Sequence, residues 1–538
     1  MHRLKYTYLL AFATILFLAS GCESNFLDIN RDPNNPTVVP LRQLLPYTQV
    51  NLSNSLGLGP SGLSEPASCF VHQTVMRGNF NNYFIVGDDF VIQQAWDNIY
   101  AGVLTDLRQI ISIGTEQENW HFVGIAQIMR AYTFSALVDV WGDVPFTDAT
   151  RGAENPYPEF DEGQEIYPEL FKMIDEGIAN LAKTSTIAPG TADLFYGGNV
   201  ARWRKFAKTL KLKLYNQARL TQVYDDAAVK ALIAEGDLMS AANEDFEMLY
   251  ASSPSPENRH PAFIQEYTQG GPGYWVSPYF YQIMQGKSTL NPILGNLVDP
   301  RIPYYFCNQL TPTQAAQNPI SYRDGAFLSI WFTSSGIDPN SDWDQNSSQT
   351  VLGLYPVGGK YDNGSGGAVN QTSGTQGATL QRLLPYFSSL YTRAELALTK
   401  NTGENAANLF KSAMEESFAE VNRAAATASA PAIAATAISS YVNSVMDLYN
   451  AGNAEKKLEL IMTQKWIASF GFAVDSYTDY RRTGYPRPFD PATDNNPFTV
   501  VNRDYVQTFP YSVTDLQINP NAPEQRNVYV DKPFWDAN

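Results

Sequence analysis

Residues 121–146 read HFVGIAQIMRAYTFSALVDVWGDVPF, and this stretch decides the fold class. Ile125, Met129, Tyr132, Ala136 and Val140 recur at steps of three and four, the period of an amphipathic helix with one apolar stripe. The pattern stops at Trp141-Gly142-Asp143-Val144-Pro145-Phe146. Gly142 suits a left-handed C-terminal cap, and Pro145 blocks continuation. That block is therefore read as a helix terminus rather than a ligand site.

The same period lies on both sides. Residues 89–113 carry Trp96, Ile99, Val103, Leu107 and Ile110, and residues 199–220 carry Trp203, Phe206, Leu210 and Leu214. Residues 163–182 read as another helix, as do 380–400, 404–424, 433–450 and 455–470. Between them, 250–378 is dominated by Gly, Pro, Ser, Asn and aromatics, including Gly270-Gly271-Pro272-Gly273-Tyr274-Trp275. It is too long for one structureless loop, so short strands, turns and binding loops are predicted there. The tail from Gly484 shows no clear helix. The fold class is mostly α with a large irregular portion. Paired helices suggest a TPR-like scaffold, although neither the TPR consensus nor a clean period of about 34 residues is visible.

The start of the chain is of another kind. Arg3 and Lys5 precede a mostly apolar run from Tyr6 to Leu18, and Ala19-Ser20-Gly21-Cys22 follows. This is the layout of a secretory signal, and the run is shorter than the roughly 20 residues a spanning helix needs. The junction resembles a bacterial lipobox with Cys22 as the acylated first residue, although Ala19 stands where Leu is commoner. The alternative is an ordinary signal cut near Gly21. The chain then divides into a lipoprotein signal peptide (1–21), an extended arm (22–40) and one domain (41–538). Asp32-Pro33-Asn34-Asn35-Pro36 in the arm cannot continue a helix.

Fifty-four acidic residues against 37 basic ones give a net charge of −17. Nucleic acid, whose phosphates need a basic surface, is excluded as a partner. The 31 Tyr, 29 Phe and 9 Trp supply core, and also flat rigid platforms for a binding face. Beyond Cys22 the cysteines are Cys69 and Cys307. An oxidising compartment permits one bridge, but the burial habit of free cysteine favours two separate thiols.

Several blocks in order resemble the SusD/RagB family of outer-membrane nutrient-binding lipoproteins, in its SusD-like branch. They are Phe26-Leu27-Asp28-Ile29-Asn30-Arg31-Asp32-Pro33-Asn34, Gln94-Ala95-Trp96-Asp97-Asn98-Ile99-Tyr100, and Arg130-Ala131-Tyr132 leading to Asp139–Phe146. Gln464-Lys465-Trp466-Ile467-Ala468 and Asp479-Tyr480-Arg481-Arg482-Thr483-Gly484-Tyr485-Pro486 complete the set. The resemblance implies one α-rich domain of four TPR-like helix pairs, an α-α superhelix, with an irregular portion about 250–378 that carries the ligand site. It implies a TonB-dependent SusC-like outer-membrane barrel as partner and an oligosaccharide, less often a peptide, as ligand. It further implies no enzymatic activity, no cofactor, and a lipid-anchored place on the outer membrane surface. Residues 250–378 match weakly, so the ligand's identity is not implied.

Read physically, Arg481 and Arg482 can pair with carboxylates or cap helix carbonyls. The series Arg202, Arg204, Lys205, Lys208, Lys211 and Lys213 reads as the wet face of the 199–220 helix. Gly57-Leu58-Gly59-Pro60-Ser61-Gly62 formally fits a dinucleotide fingerprint, but Pro60 lies inside it and no strand precedes it, so it is a turn. Asp28, Asn30, Asp32 and Asn34 lack the Gly and Glu of an EF-hand. Asp338, Asn340, Asp342 and Asp344 alternate similarly, and a solvated acidic loop is the simpler reading than a calcium site. His72, His121 and His260 are scattered, so no metal centre is assigned. No Gly-x-Ser-x-Gly elbow occurs. A carboxylate pair for glycoside hydrolysis cannot be read among so many acids, which leaves a surface glycosidase or peptidase as the alternative function.

The positive candidates are aromatics on Gly- and Pro-rich loops. A sugar's C–H face packs on a ring, while Asn, Asp, Gln or Arg bonds its hydroxyl rim. Arg77 with Phe80 and Tyr83, Tyr274 and Trp275 with Tyr279, Trp331 beside Phe332, and Trp343 offer both. Trp331 and Trp343, on the most polar loops, lead. Trp96 sits on a helical stripe and reads as core.

Overall fold

The helix that opened the reading runs from Trp120 to Trp141. Its surroundings come from a computed structural model, which describes residues 39–76, 90–268, 274–315, 322–331, 349–353, 377–487 and 505–537. The leader, Cys22, the arm and the Asp338–Asp344 loop lie outside the described residues.

The single-stripe expectation is corrected here. Phe122, Ile125, Ile128, Met129, Phe134, Leu137 and Val140 are all fully buried, on every side of the helix. A helix apolar all round belongs inside. Leu41–Leu56, Thr105–Glu116, Gly163–Leu181 and Val200–Gln217 all pack against it. The closest approach is backbone to backbone: a Cβ on Gly124 would lie 2.6 Å from the Gly177 carbonyl oxygen. Gly124→Ala is therefore expected to destabilise the protein. Overpacking of about 1–3 kcal/mol outweighs a helix-propensity gain of about 1 kcal/mol. A lowered midpoint in urea unfolding checks this.

At its C-terminus, Gly142 has φ +83° and ψ −105° and donates its N–H to Val138. The positive φ was anticipated, but the geometry is not the left-handed helical cap. A side chain there would also meet the Arg526 guanidinium at 2.8 Å. The distant tail seals this end. The Trp141 indole donates to Pro510 O at 2.8 Å, and Phe509 N–H donates to Val140 O at 2.9 Å.

The scaffold is a sequence of helix pairs. Thr105–Glu116 packs on Trp120–Trp141, Gly163–Leu181 on Val200–Gln217, and Tyr386–Lys400 on Ala406–Thr427. Ala435–Ala451 packs on Ala454–Ala468. Asn199, Asn405 and Asn453 each cap a helix start by accepting a backbone N–H through the side chain.

Two expected helices are revised. The 89–113 run is interrupted, with α-helix Phe90–Asp97, a π-helical turn Asn98–Leu104, and α-helix Thr105–Glu116. The start of 380–400 is strand Leu380–Leu384, paired antiparallel with Phe246–Leu249. Leu41–Leu56, Ser64–Phe70, Asp226–Glu235 and Val474–Thr483 are further helices, and the tail holds a short one, Val513–Ile518. Among the described residues no helix is long and apolar enough to cross a membrane.

The described parts of 250–378 contain the anticipated short strands, plus the helices Pro261–Tyr267, Pro278–Met284 and Ile302–Tyr305. Tyr274–Val276 pairs antiparallel with Thr74–Met76, and Phe306–Cys307 with Val351–Leu352. Cys69 and Cys307 are both buried, and no disulfide joins them.

The basic series on Val200–Gln217 is not a wet face. Arg204 and Lys208 bind Asp237, Lys205 binds Glu244, and Lys211 binds Asp175. Lys213 turns inward to Asp475 at 2.9 Å and opens a buried ionic layer. There Arg482 forks onto Glu395 and reaches Asp479 at 2.7 Å, Lys465 binds Asp479 at 2.7 Å, and Arg219 binds Glu395 at 3.0 Å. Asp139, close by, accepts the Tyr167 hydroxyl. Lys213, Arg219, Lys465 and Arg482 thus balance Asp139, Glu395, Asp475 and Asp479. Arg481 makes the other anticipated choice and donates to the backbone carbonyls of Asp139, Tyr477 and Gln507.

Candidate functional site

The site is built where the irregular portion meets the scaffold. Strand Tyr274–Val276 ends at Ser277, whose N–H donates to Gln73 O at 3.1 Å. The Ser277 hydroxyl accepts the Tyr279 N–H at 3.2 Å, and Pro278 occupies the first turn, so helix Pro278–Met284 starts at a fixed place. A hairpin, Tyr322–Asp324 with Phe327–Ser329, lies alongside. Gly325 takes the positive φ its turn requires, at +62°. The Ser329 hydroxyl ties the hairpin to Val276 O at 2.7 Å. Trp331 follows two residues on, after Ile330.

The result is a step of rings. Trp331 stands edge-on to Tyr279, with centroids 4.9 Å apart, and to Tyr322 at 5.1 Å. Beneath them, Tyr281 stacks on Phe327 at 3.8 Å. Polar groups border the step: Asp324 accepts the Tyr281 hydroxyl at 2.9 Å and the Lys287 ammonium. The Lys287 contact holds the Asp324 carboxyl below its ordinary range, so at neutral pH it is an ionised acceptor. Burial, helped by Asp324, pushes the Tyr281 hydroxyl up, so it stays protonated.

The candidates divide as follows. Trp331 and Tyr322 are half-buried. Tyr279 and Tyr274 are buried, and Trp275 is only 1% exposed, packed with Val75, Cys307, Ile330 and Val351. These three are buried rather than facing outward, and of them Tyr279 packs directly against Trp331. Arg77, Phe80, Tyr83 and Trp343 lie outside the described residues. Trp96 is core, as read, with its ring 5.1 Å from that of Trp141. Tyr322, Tyr281, Asp324 and Lys287 escaped the sequence reading. The signal was Asp324-Gly325, a hairpin dipeptide that places its flanking strands beside Trp331. Among the described residues no group of three His, Cys, Asp or Glu side chains could hold a metal ion.

The chain belongs to the SusD-like family, described as starch-binding and associating with the outer membrane, whose match spans residues 33–505. Solved structures agree on the fold. A SusD/RagB family protein from Bacteroides thetaiotaomicron shares 19% identity at a TM-score of 0.66, covering 93% of this chain and 99% of its own. A chitin-binding SusD homologue from Flavobacterium johnsoniae shares 18% identity at a TM-score of 0.64, covering 92% and 99%. Another chitin-binding protein shares 20% identity at a TM-score of 0.68, covering 93% and 100%. Comparison with curated proteins returned no match. The resemblance carried by the sequence blocks is thus established at the level of family, and the mostly helical, TPR-like fold with it.

Proposed function

We propose that this protein is a surface lipoprotein, anchored through Cys22, that captures an oligosaccharide and passes it to a TonB-dependent SusC-like barrel without chemically altering it. The observation that carries the reading is the Tyr279–Trp331–Tyr322 step, bordered by Asp324 and Lys287. A pyranose packs its C–H face on such rings, and its hydroxyl rim bonds an ionised carboxylate and an ammonium. Trp331 and Tyr322 carry the contact, with Tyr279 packed against Trp331, and Trp343, Arg77, Phe80, Tyr83, Tyr274 and Trp275 are kept as further candidate contacts to be tested by substitution. Family membership supports the glycan over a peptide.

The test is calorimetry of the mature chain against a panel of oligosaccharides and peptides. Changing Trp331 and Trp343 together to Ala is expected to weaken glycan binding by about 1–3 kcal/mol, with the circular dichroism spectrum unchanged. Equal affinity would remove both residues from the site. Shortened glycans in the same incubation would revive the glycosidase reading. Anchoring and delivery have their own tests: Cys22→Ala should move the protein to the soluble fraction, and the wild type should co-purify with a barrel from outer membranes.

A further inference from the structure

The hairpin that carries Tyr322 also carries the polar edge of the aromatic step. Tyr322 and Asp324 lie two residues apart on one strand, opposite Ser329 and Phe327, so they share a face of the hairpin about 7 Å apart. Arg323, between them, takes the other face and donates to Pro312 O at 2.9 Å and Gln314 O at 2.7 Å. A ring and a carboxylate at that spacing can be bridged by a single sugar and its hydroxyls.

How Asp324 is held sets what it can still bind. The Tyr281 hydroxyl, at 2.9 Å, and the Lys287 ammonium both donate to Oδ2. Tyr281 is buried with its ring stacked on Phe327, so this donor is fixed. Oδ1 accepts no hydrogen bond among the described residues and is not sealed from solvent. The carboxylates that organise loops of the scaffold are different: Asp193 and Asp161 accept through both oxygens. The Asp324 side chain is 32% exposed and that of Lys287 is 52% exposed. An ionised oxygen accepts O–H groups and opposes any group with no proton to give. Lys287 keeps N–H groups beyond the one spent on Oδ2. Acceptor and donor thus lie one carboxylate apart, which suits neighbouring hydroxyls on a sugar ring and not two hydroxyls separated by a substituted carbon.

We propose that Asp324 is the specificity-determining residue of the aromatic step: its Oδ1 accepts one sugar hydroxyl while Lys287 donates to the adjacent one, so the ligand is a glycan whose repeating sugars carry two adjacent free hydroxyls. Tyr281 and Lys287 are the positioning residues that commit Oδ2 and leave Oδ1 to the ligand. The inference rests on the glycan-capture function proposed above and narrows its substrate class. A backbone linked 1,4 keeps the hydroxyls at C2 and C3 and fits; a backbone linked 1,3 separates its free hydroxyls and does not.

The experiment titrates the mature full-length chain by calorimetry with 1,4-linked hexamers of α-glucose, β-glucose, β-mannose and β-xylose, and with a 1,3-linked β-glucose hexamer, whose internal sugars have no two adjacent free hydroxyls. The best 1,4-linked hexamer is expected to bind about tenfold or more tightly than the 1,3-linked one, the scale of one hydrogen bond to a charged group. Asp324→Asn, nearly isosteric, should weaken that binding about tenfold and narrow the gap between the two linkages, with the circular dichroism spectrum unchanged. Lys287→Met should also weaken it, and Lys287→Arg, which keeps a donor, should restore most of the loss. Trp331→Ala separates the two levels of the argument. No binding of any hexamer, or binding indifferent to Trp331→Ala, would overturn the capture reading and this inference with it. Binding that Trp331→Ala weakens but Asp324→Asn leaves intact, or equal affinity for the two linkages, would overturn this inference alone.

Discussion

Arg482→Met is expected to destabilise the protein by about 3–5 kcal/mol, enough to threaten folding of a domain with ordinary stability. Arg482 is fully buried, and it forks onto Glu395 while also holding Asp479. Removing it leaves Arg219 and Asn216 on Glu395, and Lys465 on Asp479. The layer then carries one more negative than positive charge, away from water. The loss comes from that uncompensated charge, not from a large net value of the pair itself. Denaturant midpoints of wild type, Arg482→Met, Glu395→Gln and the double variant measure it. The double variant should recover part of the single-variant loss. A single-variant effect below about 1 kcal/mol would show that the layer is wetter than its burial implies.

Acid is the second large lever, and it acts through His260. This side chain is fully buried, and its Nδ1 accepts the Ala262 N–H at 3.1 Å, capping helix Pro261–Tyr267. Burial drives its pKa down from 6.5 to about 3; Gln381 opposes the shift and Arg382 adds to it. Between those values the unfolded chain holds a proton that the native state refuses. Stability is therefore full above pH 6.5 and falls as pH drops toward 3, by about 1.4 kcal/mol per pH unit at full slope. Asp139, raised to about 6 chiefly by burial, acts in the opposite sense, so the comparison must be differential. His260→Asn keeps an acceptor at the cap and removes the titration. Relative to wild type, it should gain stability as pH falls from 6 to 4 in parallel urea melts. Identical slopes would mean that His260 is protonated in the native state.

What could be read from sequence followed the range of the forces involved. The Gly163–Leu181, Val200–Gln217 and Ala406–Thr427 helices announce themselves by local period, and their ends by local caps. Leu380–Leu384 does not, because its strand character comes from Phe246–Leu249, more than a hundred residues earlier. The basic residues at 202–213 looked solvated for the same reason. A lysine at helical spacing gives no sign that Asp237, Glu244 or Asp475 waits for it across the fold. Arg481 and Arg482 were legible as partners of carboxylates or carbonyls, but which arginine took which role was set by tertiary packing. At the aromatic step, Trp331 stood out by residue type, whereas Tyr322 enters only through the hairpin turn at Gly325. Trp275 shared the composition of a binding loop, yet strand pairing with Val75 directs it inward.

One pair of contacts bears on when this chain can fold. The Gln73 side chain donates to Trp466 O at 2.7 Å, and the Trp466 indole donates to Val71 O at 3.0 Å, spans of 393 and 395 residues. The central Trp120–Trp141 helix likewise waits for Phe509 and Pro510 to close its end. Closure over such distances is slow, because loop entropy is lost before any contact repays it. A ribosome must finish almost the whole polypeptide before the interior can seal. For a chain whose proposed leader sends it through a translocation pore, that delay is useful: the thread stays loose enough to be pulled across and locks only on arrival.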